Sequence, residues 1–456
     1  MSATEAQIND SSVRPVPERA ARLYRMLWRW HFYAGLFCIP FVMALALTGT
    51  VYLFRPQIED WIDRDLMALE RTGEPVTQAA LVAAATASIP DSTFSSIVLP
   101  EGPDQAARII VSAKGDRTRV YLHPDTGEIL KTVREEDRFR AVVFRMHGEL
   151  LLGPNGSYLV ELAASWAIVM VLTGLYLWWP RNARGLGGVL YPRLREGPKR
   201  FWRDIHAVTG VWVSAFALFL LATGLPWATV WGASFKQVRE WTGTAPVSTD
   251  WFTSSTDEHA HHMAEDAGHA AMDHAAHSGV SLDDIVASAR AMNLPPPVIV
   301  QPPSQKSPNW QVKSDTANRP QRVDIFLSPM TGEIVARNDY AGKHPIDQAV
   351  AVGIAAHEGQ LFGWVNQILG ALTALGLVLL CVSAFVMWRR RAPAGVLGAP
   401  PPIPDSRVGA VLGCMIVVAG LLLPVLGVCL IVIAALEWGV LKHLPPARRW
   451  LGLSPA

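Results

Sequence analysis

Charge is scarce in this chain. Only 17% of its 456 residues are Asp, Glu, Lys or Arg, and the two signs cancel to a net charge of +1. With no basic stretch interleaved with aromatics, that balance excludes nucleic acid as an expected partner. Cysteine is scarcer still. The four present, Cys38, Cys381, Cys414 and Cys429, each lie inside an apolar run, where buried apolar thiols are expected and disulfides or thiolate metal sites are not. No Gly-x-Gly-x-x-Gly follows a strand, so no nicotinamide or flavin site is legible, and any electron donor has to be another protein or a quinol. About thirty polar residues precede the first apolar run, which makes that run an uncleaved signal anchor and not a short cleavable leader.

Apolar residues, by contrast, make up half the chain, with 17 Trp, and they concentrate in long blocks. Blocks at 28–54, 158–179, 205–231, 362–388 and 408–436 are each long enough to cross a bilayer, so an α-helical polytopic membrane protein is expected. Arginines cluster in the tail 1–27, the short loop 180–204 and the loop beginning at Arg389 (389–407). The positive-inside rule places these in the cytoplasm and the two long loops, 55–157 and 232–361, outside, as in a bacterial inner-membrane protein. The fifth block contains Pro424 and is expected as one kinked helix, since each half alone is short for a span. It would leave Lys442, Arg448 and Arg449 of the tail 437–456 on the disfavoured side.

The chain writes its skeleton twice. Trp30–Gly49 reads WHFYAGLFCIPFVMALALTG and Ile205–Gly224 reads IHAVTGVWVSAFALFLLATG, so His31, Gly35, Thr48 and Gly49 recur in register as His206, Gly210, Thr223 and Gly224. At 1.5 Å per residue His31 and Gly49 are about 27 Å apart and lie on one helix face. Each outer loop then predicts a small α+β domain, 55–136 and 232–345. The first has a helix at 76–88 and strands at 95–99, 107–112, 118–122 and 128–132; the second has a helix at 281–292 and strands at 297–301, 310–313, 323–327 and 333–336. Thr126-Gly127-Glu128-Ile129 matches Thr331-Gly332-Glu333-Ile334 at the last turn of each. Amphipathic lead-in helices follow, within 137–157 and 346–361, with His147 and His357 on their apolar faces and a glycine six residues later, Gly153 and Gly363.

Four histidines at duplicated positions on two levels call for a cofactor more than for four separate hydrogen bonds. Pseudo-symmetry pairs His31 with His206 and His147 with His357. Structural zinc wants four ligands and catalytic zinc three, and no third ligand recurs at either level. Low-spin b-type haem wants two axial imidazoles from facing helices and an apolar slot. The expectation is therefore two haems in a pseudo-two-fold four-helix bundle, with a fifth helix beside it. Gly35 and Gly210 would clear room near the His31–His206 ring, and Gly49 and Gly224 near the other.

Arg29-Trp30-His31, Asp204-Ile205-His206, the Thr-Gly pairs closing the first and third spans, both Thr-Gly-Glu-Ile turns and the lead-in histidines together resemble the PepSY-associated transmembrane family, the iron-regulated membrane proteins that include siderophore reductases. The resemblance covers about Arg22 to Arg391. It implies a bis-haem bundle with periplasmic PepSY domains, the four histidines as haem ligands, and electrons passing from a cytoplasmic or membrane donor to a ferric siderophore or other metal complex held between the two domains.

One segment departs from that pattern. The insert 259–277 carries His259, His261, His262, Met263, His269, Met272, His274 and His277 among alanines and acids. Imidazole and thioether in such a tract suit exchangeable Cu or Zn, which would make a cupric reductase an alternative. A non-enzymatic module that captures metal or peptide for sensing is a second alternative. A proton-coupled permease is weaker, because Glu161 is the main acid inside a span.

Overall fold

The computed structural model describes residues 18–181, 185–245, 279–304, 307–401 and 409–453; the His/Met insert lies outside the described residues. Helix α1 runs Glu18–Leu53 and is followed by α2, Arg55–Ile62. The first outer segment gives α3 (Gln78–Ser88) and strands β1 (Thr93–Val98), β2 (Ala107–Ala113), β3 (Asp116–Leu122) and β4 (Ile129–Arg134). Lead-in helix α4 (Phe139–Glu149) precedes α5 (Pro154–Trp178). The second half repeats this order with α6 (Pro198–Gly224), α7 (Thr229–Trp241), α8 (Leu282–Ala291), β5 (Val298–Gln301), β6 (Trp310–Ser314), β7 (Val323–Leu327), β8 (Ile334–Asp339), lead-in helix α9 (Pro345–His357) and α10 (Trp364–Arg391). The chain closes with α11 (Ala410–Leu422), α12 (Pro424–Gly439) and α13 (Pro445–Leu451). Among the described residues five helices are long and apolar enough to cross a membrane: Ala20–Leu53, Pro154–Trp178, Pro198–Trp227, Trp364–Arg391 and Pro424–His443.

Contacts divide the chain into two units. One holds the described parts of 1–40, 165–215 and 379–456, the other those of 41–164 and 216–378. Each takes segments of the same four long helices, α1, α5, α6 and α10.

In the second unit the outer copies, expected as separate domains, share one antiparallel eight-stranded sheet, in the order β4-β3-β2-β1-β5-β6-β7-β8. The join is a short ladder between equivalent strands, Ile97 opposite Val300 and Val98 opposite Ile299. A single core forms on one face, from Leu81, Ile97, Ile109 and Leu122 of the first copy and Ile285, Val300, Ile325 and Leu327 of the second, all at most 1% exposed. Burying each such side chain is worth roughly 1.5–3 kcal/mol, so the two halves stabilise each other. The crevice expected between them is closed at this seam. Gly127 and Gly332 close the last hairpin of each copy with matching φ of 70° and 71° and matching bonds, from Gly127 N to His123 O and from Gly332 N to Ser328 O, both 2.9 Å. Only glycine takes that conformation without strain.

Three boundaries differ from the sequence reading. Helix α1 starts at Glu18, well before the apolar block, because the arginine-rich segment has good helix formers and no breaker. The third span ends in a 3-10 turn, Leu225–Trp227, since Pro226 cannot continue the helical ladder, and α7 follows as a separate amphipathic helix. The fifth block is two helices and not one kinked helix. A Cβ on Gly427 would meet the Gly420 carbonyl oxygen at 2.6 Å, whereas a continuous helix separates such positions by about 10 Å. The chain therefore folds back at Leu423–Pro424, and paired glycines let the two backbones touch. In the same unit Tyr33 Oη donates to Leu451 O at 2.5 Å and Arg29 Nη2 to Gly452 O at 3.1 Å; Arg29 also bonds Pro400 O. Arg448 and Arg449 thus sit at the arginine-rich end of α1, which removes the conflict with the positive-inside rule. Cys38 and Cys381 are buried, but Cys414 is exposed on α11, and no disulfide joins any of the four cysteines.

Candidate functional site

The four histidines meet in two pairs. In the first unit His31 of α1 faces His206 of α6, with ring centroids 6.5 Å apart and planes at 82°. In the second unit His147 of α4 faces His357 of α9, again at 6.5 Å and at 77°. Two metal–imidazole bonds of about 2 Å each, plus two ring radii of about 1 Å, would put trans imidazoles about 6 Å apart. Both pairs have the separation needed to hold one metal between them.

Each ring is fixed by a hydroxyl on another helix. His31 Nδ1 lies 3.0 Å from Thr173 Oγ1 and His206 Nδ1 lies 3.1 Å from Ser383 Oγ. His147 Nδ1 lies 3.1 Å from Thr48 Oγ1 and His357 Nδ1 lies 2.9 Å from Thr223 Oγ1. A hydroxyl has one proton, and in all four cases it goes to the backbone. Thr173 donates to Val169 O, Thr48 to Ala44 O and Thr223 to Phe219 O, each at 2.8 Å, and Ser383 to Leu380 O at 3.0 Å. The oxygen facing each imidazole is therefore an acceptor, and Nδ1 must carry the hydrogen. His206 shows this independently, because its Nδ1 also lies 3.3 Å from the carbonyl of Leu380, which can only accept. The lone pair is left on Nε2 in all four rings, the state a metal-binding histidine requires, with its tautomer set by the partner of the other nitrogen.

Close packing beside the rings is provided by small residues. A Cβ on Gly49 would stand 3.0 Å from His147 Cε1, and one on Gly224 3.5 Å from His357 Cε1. The same role beside His31 falls to Gly174, where a Cβ would stand 3.2 Å from Cε1. Gly35 and Gly210, expected to do this, instead face Met170 and Leu380. A signal for Gly174 was present in the sequence. Thr173-Gly174 lies twenty residues beyond Gly153, and Ser383-Ala384 lies twenty beyond Gly363, so the second and fourth spans repeat a hydroxyl-small pair just as the first and third do. Gly153 and Gly363 start those spans with φ of 59° and 60°, which keeps the register of the two copies equal.

The His147–His357 pair lies outside the long spans, and its surroundings are charged. Burial, helped by the neighbouring His357, holds the His147 imidazole down at about 4, and burial likewise lowers His357. Both are neutral at ordinary pH, with Nε2 free to ligate. Next to His357, Glu358 accepts from Arg55 Nη2 at 3.0 Å, and both side chains are nearly inaccessible. Burial pushes the Glu358 carboxyl up, but Arg55 and Arg319 outweigh it and hold it below the usual range. Glu161 is accounted for by capping: it accepts from Val230 N at 2.8 Å and Trp231 N at 3.0 Å in the first turn of α7. Among the described residues no three or more His, Cys, Asp and Glu side chains converge as a metal site.

The family model for the PepSY-associated TM region matches residues 28–391. The chain belongs to the PepSY-associated transmembrane family. The match runs from the start of the first apolar block to the last arginine of α10, so both histidine pairs and the whole eight-stranded sheet of this family member lie within it, and the α11–α12 hairpin lies beyond. Among curated proteins no match to the chain is found.

Proposed function

We propose that this membrane protein is a bis-haem oxidoreductase of the bacterial inner membrane that passes electrons to a metal complex outside, with a ferric siderophore the first candidate. The reading rests above all on two histidine pairs of equal separation, each ring presenting Nε2 because its Nδ1 hydrogen is committed to an intramembrane hydroxyl or carbonyl. Four-coordinate zinc would need two more ligands at each level, and the described residues bring none. The donor set and the small residues beside the rings fit two b-type haems.

His31 and His206 would hold the haem on the cytoplasmic side, and His147 and His357 the one on the periplasmic side. A haem so held supplies one-electron exchange between Fe(III) and Fe(II) without ligand loss. The chain's contribution is to fix ring orientation through Thr173, Ser383, Thr48 and Thr223 and so to leave Nε2 of each imidazole free to ligate. Electrons would come from a cytoplasmic protein or a quinol. At the acceptor, reduction of Fe(III) to Fe(II) weakens hard-oxygen chelation and releases the metal. A cupric acceptor remains tied to the insert 259–277.

Purified from haem-replete cells, the protein should show a Soret band, a sharpened α-band on dithionite reduction and about two haems per chain on bis-imidazole ligation. Colourless protein would overturn the reading and favour a non-enzymatic binding role.

A further inference from the structure

Residues 185–197, between α5 and α6, fold back along the two helices they join. Trp178 Nε1, at the end of α5, donates to Val189 O at 3.1 Å, and Trp212 Nε1, on α6, donates to Leu190 O at 2.9 Å. Arg193 ties down the far side of the turn. Its Nε donates to Asp204 Oδ2 at 2.7 Å and its Nη2 to Asp204 Oδ1 at 3.1 Å, and the Asp204 side chain is buried. Gly188 lets the chain pass this close: its φ is 76°, and a Cβ there would stand 2.5 Å from Arg193 Nη2. Within the Asp204-Ile205-His206 run, Asp204 thus has a task of its own, which is to pin the turn to α6.

The depth of the turn follows from Trp212. This residue lies six positions beyond His206, about 9 Å further along the span. Side chains on a helix lean toward its N-terminus, so the 189–190 peptide lies near the level of the His206 backbone, about 12 Å past the start of α6 at Pro198.

At this level the turn shows apolar side chains and satisfies its carbonyls. Leu186, Tyr191, Leu194 and Trp212 are each at least 58% exposed, and Leu190 is 39% exposed. Val189 O and Leu190 O accept from the two indoles. Leu186 O accepts from Val189 N at 3.0 Å and from Leu190 N at 2.9 Å, and Tyr191 O accepts from Gly188 N at 2.7 Å. Apolar surface turned outward with its backbone acceptors already bonded suits a place where water is scarce. Charge complements this. Positions 180–204 hold seven Lys and Arg against two acids, and Arg195, Lys199 and Arg203 are exposed just beyond the turn, the order in which an interfacial segment meets acyl chains and then phosphates.

We propose that the turn 186–194 is a lipid-docking element, seated at the boundary of headgroups and acyl chains in the leaflet at the arginine-rich end of the spans. Leu186, Leu190, Tyr191 and Leu194 meet acyl chains, and the basic residues beyond them meet phosphates. The α5–α6 connection is thereby part of the membrane anchor and not a water-facing loop. This does not depend on the bis-haem reading, because it uses only α5, α6 and the residues between them.

The test uses the full-length protein in phospholipid nanodiscs, with a nitroxide attached at Leu186→Cys or Leu194→Cys in a Cys414→Ser/Cys429→Ser chain. Asp116→Cys, on the sheet and with 66% of its side chain exposed, serves as the water-facing reference. Power-saturation spectra read the collisions of each nitroxide with oxygen, which concentrates in acyl chains, and with a water-soluble nickel chelate. The ratio of oxygen to nickel collisions should be about tenfold higher at both turn positions than at Asp116→Cys, since a polar complex is excluded from an apolar phase. A ratio equal to that at Asp116→Cys would put the turn in water and overturn the proposal. Low collision rates with both reagents would mean that protein, such as a second copy of the chain, covers the turn, and would overturn it as well. Both rates are read at the same nitroxide, so the outcome stands whether or not the protein is coloured.

Discussion

The two histidine pairs have the same separation and the same kind of ring partner, a hydroxyl, but different surroundings. His31 and His206 sit within long apolar helices and draw hydroxyls from the return helices, Thr173 and Ser383. His147 and His357 come from short helices outside the spans and draw hydroxyls from the span helices, Thr48 and Thr223. Helices α1 and α6 thus serve both pairs, as carriers of one set of rings and as supports of the other. The lead-in pair borders an ion pair buried on both sides, Arg55–Glu358, whereas the charges nearest His206 are Asp204 and the more exposed Arg193 and Arg203. Were both pairs to hold haem, as proposed, their different electrostatic settings would separate the two potentials.

The largest effects should come from breaking one pair at a time. His31→Ala should remove one haem and leave the haem of the lead-in pair, and His147→Ala should do the reverse, each halving the pyridine-haemochrome content. Loss of both haems from either variant with the fold intact would contradict the independence of the pairs.

Next comes Glu358→Gln, which strands the buried Arg55. It should cost about 3 kcal/mol of stability, read as a lowered unfolding midpoint in detergent. Acid should also attack the second unit through Glu135. Burial opposes ionisation there, but Arg119 and Arg138 hold the carboxyl at about 2, below its unfolded value. The associated stability is fully present above about pH 4.5 and is lost as pH falls toward 2, about 3 kcal/mol in all. Glu135→Gln should flatten the acid limb of the pH–stability curve over that window; an unchanged limb would assign it to other carboxylates.

Smaller effects test the hydroxyls and the glycines. Thr48→Val and Thr173→Val each remove one acceptor for Nδ1 and should weaken haem retention about tenfold in their own pair. Gly49→Ala places a Cβ at 3.0 Å from the His147 ring and should shift the spectrum of that haem, whereas Gly224→Ala, at 3.5 Å, should be nearly silent. Equal responses would show that the two rings have the same freedom to move.

Much of this arrangement was legible as repetition. The histidines, the Thr-Gly pairs, the turn at Gly127 and Gly332 and the strand order within each copy recur in the chain because each repeat must satisfy the same local geometry. The strand at 323–327 agrees with the sequence reading residue for residue, since alternation and a turn glycine define it. Harder to see was anything set by contact between copies. Thr173 and Ser383 differ in side chain and sit in uniformly apolar helices, so only their offset from Gly153 and Gly363 marks them. Nothing in the β1 or β5 sequence says that these two strands pair. Length argues for one kinked helix in the fifth block, but the approach of Gly420 to Gly427 depends on two small residues whose meaning appears only when the helices are folded back.

The joining of the copies also has a consequence for how such a protein could arise and fail. Strands β4 and β8, at the ends of the sheet, carry Lys131, Arg134, Arg337 and Asp339, charges that discourage further strand addition. Strand β1 has no such guard: Ile97 and Val98 are almost completely buried against β5. A single copy would expose that self-complementary edge and be driven to add a strand from a second molecule. Tandem duplication turns that association into an intramolecular one at high effective concentration. A chain cut between α5 and α6 should therefore remain a dimer of halves, held together through the sheet.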